Sequence, residues 1–193
     1  MSDLSLGIVM VLAIAGLFLY FPTNRIKAPG RWFFQDTWFD KYIPLVPYFI
    51  IPYVAYYPYL IATPILMWGT LYAAEFFTCL AIAGWSAAAF WYFFPAGILR
   101  KHDIRPDIFS RMIIWLYEND HENNTIPSSH VFHAIICSYF LALAYSSYVL
   151  LFATIGFFVA ISTVFVKQHH AADILGGMVW ALASISIASY IVG

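Results

Sequence analysis

The chain has 193 residues, of which 63% are hydrophobic, 20% are aromatic and only 10% are charged, and its formal net charge at pH 7 is −1. A soluble domain of this size has no core large enough for so much apolar surface, so the composition predicts an integral membrane protein. The sequence contains no run of basic residues that would bind nucleic acid, and we expect no nucleic-acid partner.

The apolar residues gather into stretches of roughly the 17–25 residues that are needed to cross a bilayer. Within lipid each stretch must be a helix, because a backbone amide without a hydrogen-bond partner is costly there. We therefore predict an all-α, polytopic membrane protein with six transmembrane helices, in a single domain over residues 1–193. The predicted spans are Leu4–Phe21, Tyr42–Trp68, Leu71–Phe94, Ser129–Ala144, Ser147–Val166 and Ala171–Val192.

Two of the connections between these spans are long, at about 22–41 and 95–128, and with six spans both emerge on the same face as the loop 167–173. Each long loop contains aromatic residues in an amphipathic pattern, which predicts a helix lying in the membrane interface. In the first loop the pattern is Trp32-Phe33-Phe34 with Trp38-Phe39, and in the second it is Ile108-Phe109 with Met112-Ile113 and Leu116.

Every lysine and arginine belongs to this one face. The positive-inside rule would make that face cytoplasmic. Cations that serve an anionic substrate would favour neither side, so both orientations stay open. We expect a multi-pass protein of the plasma membrane whose partners are the lipid bilayer and a membrane lipid phosphate.

Two short polar segments, Pro127–His130 and Lys167–Asp173, interrupt the apolar second half of the chain. Ionisable side chains at a membrane are costly and are functional candidates by default. His169 and Asp173 are four residues apart, so on a helix they share one face. A carboxylate there can accept the Nδ1 proton of the imidazole and leave Nε2 as a nucleophile or base. His130 can supply a second imidazole that protonates the leaving group.

The same segments contain residues suited to binding phosphate. Pro127-Ser128-Ser129 is typical of a helix start, where free amides and the positive end of the helix dipole favour an anion. Lys167 and Arg100 can neutralise the charge that develops on a phosphoryl group in the transition state. We therefore predict that Ser128, Ser129, Arg100 and Lys167 bind the phosphate of a membrane lipid.

These motifs resemble the last two signatures of the type-2 phosphatidic acid phosphatase superfamily. The resemblance rests on Pro127–His130 and on Ser162-Thr163, five residues, His169, three residues and Asp173. It implies that His169 is the nucleophile that becomes phosphohistidine, with Asp173 orienting it. His130 is then the general acid that later activates water, and Ser128 and Ser129 hold phosphate oxygens.

The chain departs from the usual family pattern at Thr163, where an arginine is expected, and at Ile98, where a lysine would precede Arg105-Pro106. A subgroup with a Pro95-to-Arg100 pattern, an Asp120 to Asn124 stretch and Lys167-Gln168-His169 matches more closely. On that comparison Arg100 and Lys167 replace the usual phosphate ligands, and Arg105 is the alternative to Arg100. Members of that subgroup resemble enzymes that transfer lipid head groups.

Three functions follow from these residues. The first is a lipid phosphatase that hydrolyses a phosphomonoester or diphosphate of a phospholipid or isoprenoid without a cofactor. The second is a phosphotransferase on the same scaffold, in which a lipid or sugar alcohol replaces water. The third is a metal site, because two histidines and one carboxylate also match a facial-triad ligand set.

Overall fold

The computed structural model describes residues 3–26, 32–33, 37–98, 100 and 107–192. Arg105, the alternative phosphate ligand, lies outside these ranges, as do residues 27–31 and 34–36 of the first long loop.

The described chain is predominantly helical, as the composition predicts. Its helices are α1 (Asp3–Phe18), α2 (Tyr20–Asn24), α3 (Ile50–Met67), α4 (Ala73–Phe93), α5 (Ile108–Asn119), α6 (Ser129–Ala144), α7 (Val149–Phe165) and α8 (Ala171–Val192). Single 3₁₀ turns, Pro47–Phe49 and Ser146–Tyr148, lead into α3 and α7. Two short strands, β1 (Trp32–Phe33) and β2 (Ala96–Gly97), complete the described structure.

Five segments of the described chain are long and apolar enough to cross a membrane, rather than the six that we predict. They are Ser5–Asn24, Pro47–Met67, Ala73–Phe93, Ser146–Phe165 and Ala171–Val192. The remaining predicted span, Ser129–Ala144, is apolar but has only 16 residues. At roughly 1.5 Å per residue it extends about 24 Å, short of the ~30 Å of a hydrocarbon core.

The short helix α6 lies at the centre of the helix packing, against α3, α4, α7 and α8. Its side chains Phe132, Ile136 and Phe140 are fully buried in the largest apolar cluster. Neighbouring helices bury most of α6, and only Tyr139 and Leu143 in its second half are exposed. A helix shielded in this way does not need the full length of a lipid-facing span. Its buried position brings its first turn, which contains His130, next to several other helix ends.

Helices α1 and α4 approach each other closely at a pair of glycines. A Cβ atom placed on Gly84 would lie 2.9 Å from the carbonyl carbon of Gly16 and 3.0 Å from its Cα. Small residues permit this backbone approach, which is the usual way in which helices associate inside a membrane. The contact fastens the first span to the core of the molecule.

The two long loops differ from each other. In the second loop a helix is present as predicted: α5 buries Ile113 and Leu116, and its position in the membrane interface stays a prediction. Its N-cap is Asp107, whose carboxylate accepts hydrogen bonds from the Phe109 and Ser110 amides. In the first loop the predicted helix is wrong for the described residues. Trp32 and Phe33 form strand β1, which pairs in parallel with β2 of the other loop.

Residues 38–40 of the first loop form a turn instead of a helix. The Asp40 carboxylate accepts hydrogen bonds from both the amide and the hydroxyl of Thr37. Such local side-chain bonds compete with the helical hydrogen-bond pattern. This is the physical reason why the aromatic pattern of the loop does not produce an interfacial helix at these residues.

Candidate active site

The three predicted catalytic residues come together at one end of the helices. His130 lies in the first turn of α6, His169 lies in the loop between α7 and α8, and Asp173 lies in the first turn of α8. The ring centroids of the two histidines are 6.3 Å apart. All three side chains are buried, and Asp173 is completely so.

His169 is held by two acceptors at one ring nitrogen. Its Nδ1 atom lies 2.8 Å from the carbonyl oxygen of Thr125 and 3.3 Å from Oδ2 of Asp173. Since a carbonyl oxygen can only accept, Nδ1 is the nitrogen that carries the proton in this arrangement. The lone pair of neutral His169 is therefore on Nε2, the atom that we predict to be nucleophilic.

Asp173 also stabilises the start of α8. The same Oδ2 atom accepts a hydrogen bond of 2.9 Å from the His170 amide, which precedes the helix. A carboxylate in the first turn that reaches back to the preceding amide is a recurrent helix-capping arrangement. Asp173 therefore combines a structural contact with its contact to His169, and the capping contact is the shorter of the two.

His130 is held by aromatic packing. The rings of Tyr53 and Tyr56, both on α3, lie with their centroids 4.4 Å and 4.0 Å from the His130 ring centroid. Neither ring nitrogen of His130 has a hydrogen-bond partner among the described residues. Both nitrogens thus remain available to a ligand, in contrast to the doubly engaged Nδ1 of His169.

The two serines lie where the sequence predicts a helix start. Ser128 is the N-cap residue of α6 and is completely buried, and Ser129 begins the helix. The hydroxyl of Ser128 makes no hydrogen bond within the described ranges. The first amides of a helix have no partner inside it, so this end of α6 can bind an anion.

Arg100 is engaged by protein acceptors. Its NH1 group donates to the carbonyl oxygens of Tyr117 and Asp120, and its NH2 group donates to Asp120 Oδ2, to the His121 carbonyl oxygen and, at 2.6 Å, to Gln168 Oε1. Only its Nε–H group lacks a partner in the part of the chain that the structure describes. The predicted role of Arg100 as a phosphate ligand stays a prediction.

Lys167 extends towards the first long loop. Its ammonium group donates to the carbonyl oxygens of Ile43, at 2.6 Å, and Asp40, at 3.3 Å. Its backbone adopts a positive φ of 56°, which turns the chain from α7 towards His169. Its predicted phosphate contact likewise stays a prediction.

Asp40 is a residue at this site that sequence reasoning missed. Its Oδ1 atom accepts a hydrogen bond of 2.8 Å from the Ala171 amide at the start of α8. Burial by itself raises the pKa of Asp40, but hydrogen bonds from Thr37 and the Ala171 amide outweigh burial and hold the pKa below its ordinary value. No local pattern in the sequence connects residue 40 with residue 171.

Thr125, Gln168, Tyr53 and Tyr56 were also missed. Thr125 contacts His169 through its backbone carbonyl oxygen, which any residue type could supply. The residue type at position 125 therefore could not predict this contact. Gln168 lies inside the predicted motif loop, but its contact to Arg100 spans 68 residues. The three-residue spacing of Tyr53 and Tyr56, which places them on one face of a helix, was the only available signal.

Buried polar atoms without hydrogen-bond partners are concentrated around the two motifs, counting partners from the described residues only. They include Thr125 Oγ1, Ser128 Oγ, both nitrogens of His130, Asp173 Oδ1, Gln168 Nε2 and Arg100 Nε. Buried polar groups in proteins are usually satisfied, so such a concentration needs an explanation. A polar ligand that accepts and donates hydrogen bonds would supply one.

The alternative of a metal site requires several ligating side chains gathered around one point. Within the described ranges there is no group of three or more histidine, cysteine, aspartate or glutamate side chains arranged to hold a metal ion.

Comparisons of the chain with protein-family models, with curated proteins and with solved structures found no match.

Proposed function

We propose that this protein is a membrane-embedded lipid phosphatase that works through a phosphohistidine, as its resemblance to the type-2 phosphatidic acid phosphatase superfamily implies. Its substrate would be a phosphomonoester or diphosphate of a phospholipid or isoprenoid. One observation carries the proposal: His169 is bound through Nδ1, and the His130 ring, whose nitrogens have no partner among the described residues, lies 6.3 Å away.

In the first step the Nε2 lone pair of His169 attacks phosphorus, and the bond from phosphorus to the leaving alkoxide oxygen breaks. Protonated His130 gives its proton to that oxygen, so that a neutral alcohol departs. The phosphorylated imidazole of His169 is cationic while Nδ1 keeps its proton. The Asp173 carboxylate and the Thr125 carbonyl oxygen, 3.3 Å and 2.8 Å from Nδ1, support this assignment because both stabilise that charge.

In the second step His130, now neutral, takes a proton from water. The water oxygen attacks phosphorus, the bond from phosphorus to Nε2 breaks, and inorganic phosphate is released. The buried Ser128 hydroxyl and the amides at the start of α6 are the proposed donors to the phosphoryl oxygens. Every proton and electron pair is accounted for by His169, His130, water and substrate.

The substrate is proposed to be a lipid because apolar helices surround the site. We include α6 as a sixth span, since it is apolar and packs among helices long enough to cross a membrane. A span this short is tolerated by local thinning of the bilayer. Six spans in the plasma membrane would leave both termini on the side opposite the active site, which reporter fusions at each terminus would test.

A phosphotransferase is the second candidate, and one specific observation favours it. Arg100, Asp120 and Gln168, which belong to the subgroup pattern that resembles head-group transferases, are joined directly by hydrogen bonds. In that reaction an alcohol of a lipid or sugar, in place of water, attacks the phosphohistidine.

The deciding experiment measures inorganic phosphate release by protein purified in detergent. Phosphatidic acid, phosphatidylglycerol phosphate and a polyprenyl diphosphate would be offered, each with and without EDTA. We expect release that is resistant to EDTA, that is lost in His169→Ala and that persists in His121→Ala, a control histidine that is exposed.

Three results would change the conclusion. No release from folded wild-type protein, with turnover appearing once a lipid alcohol is added, would favour the transferase. Loss of release on chelation would favour the metal alternative. Equal release by wild type and His169→Ala would overturn the phosphohistidine mechanism.

A further inference from the structure

The orientation of His130 depends on its neighbours to an unusual degree. His169 is fixed by two acceptors at Nδ1, whereas neither nitrogen of His130 has a partner in the described chain. A buried imidazole that makes no hydrogen bond of its own is held by packing alone. The side chains that pack on His130 therefore decide where its nitrogens point.

Tyr56 makes the closest of these ring contacts. Its ring centroid is 4.0 Å from that of His130, with an angle of 35° between the planes. Both side chains are buried, at 6% and 5% exposure. The Tyr56 ring thus touches the proposed general acid over much of its face.

The hydroxyl of Tyr56 is itself fixed by a second histidine. It lies 2.8 Å from Nδ1 of His133, and either atom can be the donor, according to the His133 tautomer. His133 follows His130 by three residues on α6, so the two imidazoles are on one face of the helix. Tyr56 accordingly reaches across from α3, packs on the first histidine and bonds to the second.

We propose that Tyr56 and His133 are positioning residues for His130, and this inference rests on the proposed function. The hydrogen bond prevents the Tyr56 ring from turning away, and the ring in turn holds the His130 imidazole in the orientation that delivers a proton to the leaving oxygen. Both ring nitrogens of His130 stay free for the substrate because neither is used to hold the ring. His133 touches no substrate in this scheme.

A purely structural role for the pair would have a different consequence. Breaking one buried hydrogen bond lowers stability by a modest amount and affects all substrates alike. Loss of general-acid positioning affects substrates unequally, because a poor leaving group needs the proton and a good one does not. The dependence on the leaving group therefore separates the two roles.

The chain contains a matched control for the missing hydroxyl. Tyr59, also on α3, bonds through its hydroxyl to Ser138 on α6, at 2.9 Å. Tyr59→Phe removes one hydrogen bond between the same two helices as Tyr56→Phe does. Its partner Ser138 keeps a second bond to the Phe152 carbonyl oxygen and lies further than His133 from the start of α6.

The experiment compares kcat/KM for two substrates that share one hydrocarbon chain, an alkyl phosphate and a nitrophenyl phosphate carrying that chain on the ring. This ratio reports the steps up to departure of the leaving group and leaves out the hydrolysis step that both substrates share. For Tyr56→Phe we expect kcat/KM for the alkyl phosphate to fall roughly tenfold and kcat/KM for the aryl phosphate to fall less than about threefold. Tyr59→Phe should stay within about twofold of wild type on both substrates. Equal losses on both substrates in Tyr56→Phe would overturn the proposal.

Two variants of the second histidine complete the test. His133→Leu removes the partner of the Tyr56 hydroxyl and should reproduce the unequal losses. His133→Asn keeps a polar atom close to the position of Nδ1, and it should restore the alkyl phosphate activity to within about threefold of wild type. Failure of asparagine to restore activity, with the protein folded, would count against the hydrogen bond as the cause.

A spectroscopic measurement tests positioning without any turnover. Stacked tyrosine rings shift the resonance of the His130 ring proton attached to Cε1, and a held ring gives one narrow signal. We expect this signal to move towards its unstructured position in Tyr56→Phe and to stay unchanged in Tyr59→Phe. An unchanged signal in Tyr56→Phe overturns the inference, even if wild type proves inactive and the proposed function fails.

Discussion

The Nδ1 atom of His169 lies closer to the carbonyl oxygen of Thr125, at 2.8 Å, than to the carboxylate of Asp173, at 3.3 Å. The tautomer of the proposed nucleophile is therefore set by a backbone group, with the carboxylate as a second acceptor. Because the Asp173 oxygen also caps α8, we expect its contribution to the proposed catalysis to come chiefly from its negative charge.

Replacement of Asp173 by asparagine tests this division of roles. A carbonyl oxygen in the position of Oδ2 would preserve the contacts to both His169 and the His170 amide, so only the charge is lost. We expect kcat for phosphate release to fall by about 10- to 100-fold, with little change in stability. Asp173→Leu should lose a further ~1 kcal/mol of stability because the cap is removed.

Kinetics and thermal unfolding of both variants provide the measurement. A loss near 10⁴-fold in the asparagine variant, as is typical when a triad histidine adopts the wrong tautomer, would show that Thr125 does not set the tautomer. Wild-type activity in that variant would mean that the charge has no catalytic role.

The contact from Asp40 to the start of α8 predicts a pH-dependent contribution to stability. Its pKa in the folded protein is lowered from the ordinary value of 3.8. A depressed carboxyl pKa contributes stability that is complete above the unfolded value and is lost as the pH falls through the folded value. Asp40→Ala should therefore lower stability by about 1 kcal/mol at neutral pH, as loss of a helix cap does.

The check is thermal unfolding of wild type and Asp40→Ala in detergent over a series of pH values. We expect the difference in Tm to be constant from about pH 5 to 8 and to shrink below about pH 4. The same difference in Tm for Asp107→Ala is the comparison, because Asp107 is exposed and caps α5, a helix away from the site. A difference that disappears between pH 6 and 7 would contradict the assignment to Asp40.

The contacts of Arg100 predict that removing its side chain mainly lowers the stability of the protein. Its guanidinium joins the 117–121 segment to Gln168, and its side chain is only 2% exposed. Arg100→Ala should lower stability by about 2–4 kcal/mol, because several buried acceptors lose their donor. Arg111→Ala, at an exposed site on α5, should change stability by less than about 0.5 kcal/mol.

Unfolding midpoints and KM together decide between the possible roles of Arg100. Unchanged stability with a large increase in KM would instead support the phosphate-binding role that the sequence predicts. A fall in stability without a change in KM would indicate that the start of α6 and the two serines bind the phosphate and that Arg100 does not.

The glycine contact between α1 and α4 predicts a steric effect. A Cβ atom on Gly84 would lie 2.9 Å from backbone atoms of Gly16, which cannot move aside as a flexible side chain can. Gly84→Ala should therefore destabilise the protein by about 1–3 kcal/mol.

Gly7→Ala is the control, since nothing lies within 4 Å of a Cβ placed there. Both variants would be compared by the fraction that remains folded in detergent on heating. Equal stability of the two alanine variants would contradict the close approach of the helices.

Much of the architecture could be predicted from local patterns. Apolar runs of sufficient length identified five helices that can cross a membrane, and the apolar pattern that begins at Ile108-Phe109 indicated α5. The four-residue spacing of His169 and Asp173 correctly indicated that the two side chains are in contact, although His169 precedes the helix instead of lying in it. The predictions of a sixth span and of a first interfacial helix were less successful. A sequence pattern does not show that neighbouring helices shield α6, nor that β1 pairs with a strand of a distant loop.

The sequence by itself determined the membrane class, the helix ends at which polar residues gather, and the pairing of His169 with Asp173. These features depend on composition and on contacts within one or two turns, where spacing defines geometry. Only the tertiary structure decided that Thr125 holds His169, that Asp40 caps α8 and that Tyr56 packs on His130. Those contacts join residues 44 to 131 positions apart, and their geometry follows from how the helices pack and where the loops return, which no local pattern encodes.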